Sequence, residues 1–514
     1  MKGKTQDCGN TLDLFITRES DDVHVKPSIE PSSFSDHSPV HLRLPLFKPP
    51  LERKEITYRK LRSIDKELFR TAVQNSPFVQ NAASYEDTDT IVSSYNSCIL
   101  SILDEQAPVK TRTITIRPTS PWFNDHLTEE KKLKRKLETK AETSGLQVDH
   151  DLFRAQANVY YSLVDKAKKE YYNSRISEAG HDQKTLFKTV KGLLDGDANV
   201  SLPLHSSADD LAERFSDFFV TKIDKIRGEL LKRQEDIEAV PSVPTPVFDG
   251  EPFTSFTPVS EDDVLKVITK SPSKSCILDP LPTWLLKENL SVLLPSLTHL
   301  INSSLSTGHV PVALKKAVVT PIHKKPSLPL DNLKNYRPVS NLPFVSKIIE
   351  KVVASQLNDH LARHDIKEKF QSAYRRLHST ETAIIKVQND ILRCLGNRKC
   401  VLLVLLDLSS AFDTIDHDIL ISCLRDRFGV QGIALSWFRS YLSDRLQCVC
   451  VKHCFSKGRC LKCGVPQGSV LGPLLFILYL FGLGDILRGC DIDYRRRPKL
   501  DRFPNLNRTP DFDI

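Results

Sequence analysis

Apolar residues in the second half of the chain recur at the spacing of helix faces. In residues 345–361, five apolar positions fall on one face of a predicted helix: Ile348, Ile349, Val352, Val353 and Leu357. Caps and spacing predict further elements: a helix opened by the capping box Ser260-x-x-Asp263, one from Ser379 or Thr380 through Ile391, one over 417–428 ended by Gly429, one over 433–442, and a hairpin over 445–463. Together these elements predict an α+β region.

A continuous apolar run at residues 401–406 has the length of a strand. It predicts a strand that is buried on both faces. Asp407 follows directly, so the strand would deliver a carboxylate at the point where a sheet meets solvent. That position suits a metal ligand; the alternative is an aspartate that caps the following turn.

The first 260 residues are patterned differently. Residues 1–47 alternate short apolar runs with turn formers and predict short strands. Residues 55–240 are mostly helical in pattern, with apolar and tyrosine positions of residues 152–177 near helical spacing. Prolines crowd residues 241–258 and predict a stiff linker, so we place a domain boundary there.

Composition is that of an ordinary globular protein. The 514 residues allow roughly two to four domains, and apolar residues make up 40% and charged residues 26%. These values exclude collagen, a small disulfide scaffold and a wholly disordered chain. The net charge of +8 permits a nucleic-acid partner without requiring one. Five of the six residues at 131–136 are basic, which indicates a solvated helix face or, alternatively, a contact with a polyanion.

Nothing in the sequence indicates secretion or a membrane span. The first residues form no apolar signal core, and the twelve cysteines show no short-spaced disulfide framework. The most apolar stretch, residues 470–484, is interrupted by Gly472, Pro473 and Gly482 and falls short of the ~18 residues of a spanning helix. We therefore expect an intracellular protein of the nucleus or cytoplasm, with no membrane partner; the oligomeric state is left open.

A cluster of thiols near the predicted hairpin permits a zinc site. It comprises Cys448, Cys450, His453, Cys454, Cys460 and Cys463. Cys460 and Cys463 have a ligand spacing, but Cys448 and Cys450 fall on one face of a predicted strand. We favour cysteines on hairpin strands over a zinc site.

Residues 464–473 read Gly-Val-Pro-Gln-Gly-Ser-Val-Leu-Gly-Pro and predict a loop of unusual backbone. Glycine lets a ligand approach the main chain closely, and Gln467 offers an amide to a base or sugar edge. This loop and the Asp407 segment could each be purely structural. When both occur in this order in one chain, they indicate a functional site far more specifically than either segment does alone.

Residues 270–490 resemble the reverse transcriptase of non-LTR (LINE-type) retrotransposons. The resemblance is carried by blocks in the family's order: Lys-Ser at 274–275, Asp-Pro-Leu-Pro at 279–282, Ala-Val-Val-Thr-Pro-Ile-His-Lys-Lys at 317–325, Asn-Tyr-Arg-Pro-Val-Ser-Asn-Leu at 335–342, Phe-Gln-Ser-Ala-Tyr-Arg at 370–375, His-Ser-Thr-Glu-Thr-Ala at 378–383, the Asp407 segment and the 464–473 loop. It implies a right-hand polymerase fold, here as fingers and a partial palm without a thumb. It also implies an RNA template and a DNA primer as partners.

The resemblance implies a metal site. Asp407 would be a ligand to two Mg²⁺ ions, assisted by the main-chain carbonyl of Leu408. The implied reaction is attack of a primer 3′-hydroxyl on an α-phosphate, with the two metals stabilising the attacking and leaving oxygens.

The resemblance also implies nucleotide contacts. Lys324 and Arg337 would hold the triphosphate as charge-assisted donors. Phe412 would stand under the nucleotide sugar and reject a 2′-hydroxyl. Gln467 and Gly468 would position the template and the incoming nucleotide.

A second pair of carboxylates is missing from this sequence. The family has a Tyr/Phe-Ala-Asp-Asp turn shortly after the loop, but Asp-Asp occurs here only at 21–22, 209–210 and 262–263, all before Asp407. The family pattern gives way near Tyr494 to a polar basic stretch, so we expect a frameshift, splice or truncation there. We expect that Mg²⁺ is not bound productively and that the chain is catalytically incompetent.

The first 47 residues resemble the end of an endonuclease/exonuclease/phosphatase domain. Residues 12–17 and 35–40, Leu-Asp-Leu-Phe-Ile-Thr and Ser-Asp-His-Ser-Pro-Val, match its last two motifs. By this resemblance His37 would contact the scissile phosphate, Asp36 would help to bind metal or orient water, and Asp13 would orient His37. A segment of about 45 residues cannot bury a core of its own, so we expect it to be inactive alone.

We therefore predict five segments: an endonuclease remnant (1–47), a mostly helical connector (48–240), a proline-rich linker (241–260), a reverse transcriptase domain truncated before the Asp-Asp motif (261–494) and an unrelated basic tail (495–514). The predicted function is that of a reverse-transcriptase-domain protein of non-LTR retrotransposon origin that lacks activity. The alternatives are a non-enzymatic RNA- or DNA-binding remnant and a decayed reading frame without a selected function.

Overall fold

The structure is a computed structural model that divides into two compact units. It describes residues 28–29, 40–41, 53–85, 87–115, 120–180, 182, 186–187, 189–190, 202–236, 247–366, 371–375, 377–405, 407–408 and 410–483. The first unit comprises Met1–Tyr58 and Lys110–Ala198, and the second comprises Arg59–Val109 and Asn199–Ile514.

Helices and strands alternate irregularly along the chain. The described helices are α1 (Lys66–Gln74), α2 (Pro77–Gln80), α3 (Thr88–Gln106), α4 (Asp125–Ser144), α5 (Gln147–Ala179), α6 (Ala208–Asp236), α7 (Glu261–Lys270), α8 (Thr283–Glu288), α9 (Leu290–Thr307), α10 (Val312–Lys315), α11 (Phe344–Arg363), α12 (Thr380–Gly396), α13 (His417–Phe428), α14 (Gly432–Leu442) and α15 (Leu471–Tyr479). The described strands are β1 (Ser28–Ile29), β2 (Val40–His41), β3 (Arg53–Tyr58), β4 (Lys110–Thr115), β5 (Ala317–His323), β6 (Tyr336–Asn341), β7 (Arg445–Val451), β8 (Cys454–Phe455) and β9 (Arg459–Leu461). The predicted α+β class is confirmed.

The first unit contains two antiparallel strand pairs, β1–β2 and β3–β4, and a helical hairpin of α4 and α5. Asn124 caps α4 by accepting a hydrogen bond from the main-chain N–H of Leu127, and Gly145 ends the helix in the left-handed conformation. The Lys134 ammonium, part of the basic run at 131–136, lies 5.5 Å from the ring centres of both Phe153 and Tyr161. At least one side chain of the basic run therefore makes cation–π contacts within the helical hairpin.

The second unit is built around one large apolar core. Buried side chains reach it from residues 69–103, 253–361 and 415–478. The predicted helix 345–361 is confirmed as α11, and its five predicted apolar positions are all buried. None of the described helices is both long enough and apolar enough to cross a membrane.

Several predicted helix ends are confirmed in detail. Ser260 and Asp263 form a reciprocal capping box at the start of α7. Ser379 caps α12, which continues past the predicted end to Gly396. Gly429, at φ +65°, ends α13.

A five-stranded sheet crosses the second unit in the order β6-β5-β7-β8, with β9 also paired to β7. β5 is antiparallel to β6 and parallel to β7, so that Val318 lies opposite both Asn341 and Cys448. α6 covers one face of this sheet. Its apolar side chains form a separate buried cluster with the sheet: Leu211, Ala212, Phe215 and Phe219 of the helix against Val319, Tyr336, Val449 and Val451.

The predicted strand at 401–406 is wrong for the residues that the structure describes there. Residues 401–405 belong to no strand, and their side chains are 40–88% exposed. A strand needs neighbours that take up its N–H and C=O groups, and the described sheet is formed by β5 to β9 without this segment. The apolar run signals a strand-forming composition but cannot specify a pairing partner.

Candidate functional site

The loop that follows β9 depends on two glycines. Gly464 has φ +84°, and a Cβ atom added there would lie 2.7 Å from the main-chain oxygen of Asp413. Gly468 has φ +119°, and its added Cβ would lie 2.6 Å from the main-chain oxygen of Ser340. Side chains at either position would clash with main chain, so this sequence requires glycine for the loop to approach its neighbours.

Main-chain hydrogen bonds join the loop to a turn at residues 410–416 and to the end of β6. They run from Gly464 N to Ile415 O (2.7 Å), from Val465 N to Phe412 O (2.8 Å) and from Ser340 N to Gln467 O (2.7 Å). The Nε2–H of His417 also donates to Gly464 O at 2.8 Å. Three segments that are distant in sequence are therefore held as one structure.

Asp413 is the partly buried centre of this structure. The Gln467 Nε2 atom donates to both of its carboxylate oxygens, at 2.8 and 2.9 Å. Burial raises the pKa of Asp413 to about 6, although Gln467 and Lys222 oppose the shift. These contacts direct the NH₂ group of the Gln467 amide inward, towards Asp413.

A cavity of about 160 Å³ lies beside this pair. α6 forms part of its wall through Lys222 and Asp224, and the loop residues and Asp413 form another part. A charge pair fixes α6 nearby, because the Arg227 guanidinium lies 2.6 Å from Asp416. At the other end of the helix, Glu213 accepts a hydrogen bond from the Lys457 main-chain N–H at 2.6 Å.

α15 begins directly after the loop, and a buried glutamate receives its first N–H groups. Glu350 of α11 is 1% exposed and accepts hydrogen bonds from Val470 N at 2.6 Å and Leu471 N at 3.1 Å. Burial raises the pKa of Glu350, whereas the Leu471 N–H and the charge of Arg445 favour the ionised form. A carboxylate at a helix N-terminus also interacts favourably with the helix dipole.

Lys324 and Arg337 lie on the β5–β6 hairpin. Arg337 is directly opposite Ile322, and Lys324 follows Ile322 by two residues, so both basic side chains emerge on the same face. The opposite face carries the buried Tyr336, which packs against α6. The Lys324 Nζ atom donates to the main-chain oxygen of Lys334 at 2.7 Å.

Phe412 is brought next to the loop. Its carbonyl accepts the hydrogen bond from Val465, and its ring centre lies 5.0 Å from that of Phe476 on α15. The structure thus places Phe412 next to the loop that carries Gln467 and Gly468.

Asp407 and Leu408 lie on an exposed part of the chain. Both are exposed, Leu408 at 52%, and they follow the segment 401–405 that belongs to no strand. In the part of the chain that the structure describes, no three His, Cys, Asp or Glu side chains converge in a way that could hold a metal ion. The described residues around Asp407 therefore do not fit a two-metal centre, because two adjacent divalent ions require several shared anionic oxygens.

Asp13, Asp36 and His37 lie outside the described residues. Their predicted nuclease roles stay predictions.

Sequence reasoning assigned no role to the two carboxylates that organise the site, the partly buried Asp413 and the buried Glu350. Asp413 lies six residues after Asp407 in the same motif. Its position next to Phe412 is the sequence feature that could have pointed to a role for it. Glu350 lies on the apolar face of a predicted helix, where an acidic residue is itself unusual. Neither signal names the partner, since Gln467 and Val470 are more than fifty residues away in sequence.

Residues 322–494 match the family described as reverse transcriptase (RNA-dependent DNA polymerase). The chain contains a reverse transcriptase domain. The matched stretch includes Lys324, Arg337, Asp407, Phe412 and Gln467, and it ends at Tyr494.

Three Drosophila melanogaster proteins are similar to longer stretches of the chain. The probable RNA-directed DNA polymerase from transposon BS is 26% identical over 356 residues, which cover 67% of this chain and 38% of that protein. The RNA-directed DNA polymerase from mobile element jockey is 32% identical over 238 residues, covering 44% and 25%. The probable RNA-directed DNA polymerase from transposon X-element is 24% identical over 499 residues, covering 91% and 51%.

The matched stretches thus span between a quarter and about half of these relatives' own lengths. The prediction of a reverse transcriptase domain of the non-LTR retrotransposon type is confirmed.

Proposed function

We propose that this chain is a retrotransposon-derived protein whose reverse transcriptase domain binds template and primer nucleic acid but does not polymerise DNA on its own. The observation that carries the proposal is the contrast within the site. The Gln467 loop, Phe412 and Asp413 form a closed network, whereas Asp407 lies on an exposed segment without an acidic cluster among the described residues.

Nucleic-acid contact is supported by the positions of the basic side chains. Lys324 and Arg337 share one face of the β5–β6 hairpin, which α6 leaves uncovered because it packs against the opposite face. Two donors on a common face suit a phosphate group. The ring of Phe412 and Gln467 form a second group next to the loop; because Asp413 holds the NH₂ group of Gln467, the Oε1 atom is the part of this amide that suits a base or a sugar.

The absence of catalysis is supported by the set of carboxylates. No Asp-Asp pair follows Asp407 in the sequence, and Asp413 directs both of its oxygens at Gln467. A carboxylate held in this way is not available to share metal ions with Asp407. Mg²⁺ is therefore expected to add little to the affinity of the chain for nucleic acid.

Primer extension tests the catalytic half of the proposal. The full chain is incubated with an RNA template, an annealed DNA primer, all four deoxynucleotides and Mg²⁺, beside an Asp407→Ala variant. We expect no extension from either protein. Extension by the wild type that Asp407→Ala abolishes would overturn the claim of incompetence.

Fluorescence anisotropy with a labelled RNA–DNA hybrid tests the binding half. We expect binding that weakens steeply with salt, because phosphate contacts release counterions. An Arg337→Ala variant should bind more weakly, with a smaller salt slope, whereas Arg393→Ala on α12 should bind like wild type. The absence of binding at low salt would refute this half and favour a decayed reading frame.

We also propose that residues 1–47 derive from an endonuclease/exonuclease/phosphatase domain, on the resemblance of the motifs that contain Asp13, Asp36 and His37. Supercoiled plasmid incubated with the full chain and Mg²⁺ should stay intact. Nicking that a His37→Ala variant abolishes would contradict the expected inactivity of this segment.

A further inference from the structure

A group of large apolar side chains on α12 and in the segment after it is exposed. We call it the exposed apolar surface and define it by nine side chains: Ile384, Ile385, Leu392 and Leu395 of α12 and the five residues 401–405. The four helix side chains are 43–64% exposed, and residues 401–405 are 40–88% exposed. Large apolar side chains that stay exposed on a folded domain mark a candidate interaction site.

The four exposed side chains of α12 belong to a wider apolar stripe along that helix. On α12, apolar positions occupy an arc of roughly 200° at 3.6 residues per turn. One flank of the arc, formed by Ala383, Val387, Ile391 and Cys394, is half-buried. The other flank belongs to the exposed apolar surface, so the stripe is wider than the part of it that the described chain covers.

The segment after α12 is clearly separated from the helix. Lys399 N donates to Cys394 O and Arg398 N to Leu395 O, both at 2.9 Å, and Arg398 has φ +58°. This is the hydrogen-bond pattern of a Schellman C-cap, with arginine where glycine is usual. The chain therefore leaves the helix at Lys399, and residues 401–405 form an independent segment of strand-forming composition.

We propose that residues 401–405 pair in antiparallel fashion with the same residues of a second copy of this chain, with Leu403 on the two-fold axis. Charge complementarity favours this occupant and this register. Lys399 precedes the apolar run and Asp407 follows it, each four residues from Leu403. An antiparallel pair centred on Leu403 places each Lys399 opposite the Asp407 of the other copy.

The same register pairs like with like along the apolar run. Val401 lies opposite Leu405, Leu402 opposite Val404, and Leu403 opposite its own copy. The main-chain N–H and C=O groups of the segment then gain the partners that a strand requires. Arg398 is excluded from the pairing because its left-handed conformation belongs to the helix cap.

The oligomeric state tests whether the pairing occurs. Sedimentation velocity of the full chain over a range of concentrations should show a monomer–dimer equilibrium. Leu403→Asp should give a monomer with an unchanged circular dichroism spectrum, because Leu403 is 56% exposed in the single chain and does not hold the fold together. A wild type that stays monomeric, or a Leu403→Asp variant that still dimerises, would overturn the proposal.

Disulfide trapping tests the register. Residues directly opposite in an antiparallel pair have Cα atoms about 4.5–5.5 Å apart, within the reach of a disulfide. In a Cys400→Ser background, Leu403→Cys should form a 403–403 crosslink under mild oxidation, identified by mass spectrometry of the linked peptides. Leu405→Cys is the matched control and should form no 405–405 link, because Val401 lies opposite it; equal trapping at both positions refutes the register.

Charge reversal tests the ends of the pair. Lys399→Asp should weaken the dimer about tenfold, because two opposite-charge pairs become like-charge pairs. Adding Asp407→Lys should restore the wild-type association. Failure of the double variant to recover would contradict the pairing of these two residues, whatever the outcome for nucleic-acid binding.

Discussion

The loop at 464–469 and the segment at 401–408 lie within the same reverse transcriptase domain, but they are held in opposite ways. The loop is anchored by main-chain hydrogen bonds to two other segments, and the partly buried Asp413 accepts two hydrogen bonds from its Gln467. The segment that leads to Asp407 is strongly apolar yet exposed, and it belongs to no described strand. The polar groups of the loop therefore have their hydrogen-bond partners, whereas the apolar side chains of residues 401–405 stay exposed.

The difference shows that apolar content does not by itself bury a segment. The loop is stabilised by close main-chain contacts that Gly464 and Gly468 permit and by the carboxylates of Asp413 and Glu350, which accept hydrogen bonds from the loop and from the start of α15. A strand such as the one predicted at 401–406 depends instead on neighbouring strands, which its own sequence cannot provide. Substitutions in each of the two regions test this difference.

The largest effect is expected from Glu350→Ala. The substitution leaves the N–H groups of Val470 and Leu471 without their acceptor and leaves Arg445, itself 1% exposed, without the nearby charge. Removing one member of such a buried charged network costs about 3–5 kcal/mol of unfolding free energy. Urea denaturation followed by circular dichroism measures it.

Glu381→Ala is the control for that measurement. Glu381 is an exposed acid in the first turn of α12 and should contribute only about 0.5 kcal/mol. Equal losses from the two variants would mean that Glu350 does not organise the loop and α15.

A pH-dependent effect is expected from Asp413→Asn. The pKa of about 6 in the folded chain lies above the ~4 of an aspartate in an unfolded chain, so between these values the folded state binds the extra proton. The contribution of Asp413 to stability is therefore fully present below about pH 4 and is lost as the pH rises through 6. Asparagine stays neutral and keeps one of the two oxygens that accept from Gln467.

The Asp413→Asn variant should accordingly be more stable than wild type by roughly 2–3 kcal/mol at pH 7.5 and should resemble it at pH 4. Urea denaturation of both proteins at the two pH values gives the comparison. A stability difference that does not change with pH would show that the carboxyl group of Asp413 is not buried as the structure has it.

A structural feature of this chain could be predicted from the sequence when the residues that determine it lie close together in the chain. Ser260, Ser379 and Gly429 were placed correctly because a cap is determined by residues three or four positions away. The blocks around Lys324, Arg337 and Gln467 located the reverse transcriptase domain because their order is itself a signal. The partners of Asp413 and Glu350 were not found, since each hydrogen bond joins residues separated by more than fifty positions.

A smaller effect is expected from Gly468→Ala. Its φ of +119° is a conformation that alanine rarely adopts, and the added Cβ would press on the main-chain oxygen of Ser340. The cost is on the order of 1–3 kcal/mol. It should appear in hydrogen exchange as faster exchange of the Ser340 amide, which donates to Gln467 O.

Gly458→Ala provides the matched glycine control. No atom lies within 4 Å of a Cβ at Gly458, so exchange and stability should both stay near wild type. Slow exchange of Ser340 in Gly468→Ala would mean that the loop can shift without losing its link to β6.

The smallest effect is expected on the open side of the comparison, from Leu402→Ala. Leu402 is 88% exposed, whereas Leu471 at the start of α15 is fully buried, so the same chemical change samples both regions. Leu471→Ala should cost about 2–5 kcal/mol through lost burial and the cavity left behind, but Leu402→Ala should stay within about 0.5 kcal/mol. Both are measured by urea denaturation at the lowest practical protein concentration, where association between copies contributes least. If Leu402→Ala lowered the free energy of unfolding as much as Leu471→Ala, residues 401–405 would be covered within the single chain. The two regions would then not differ in burial. The exposed segment on which the pairing of two copies depends would not exist.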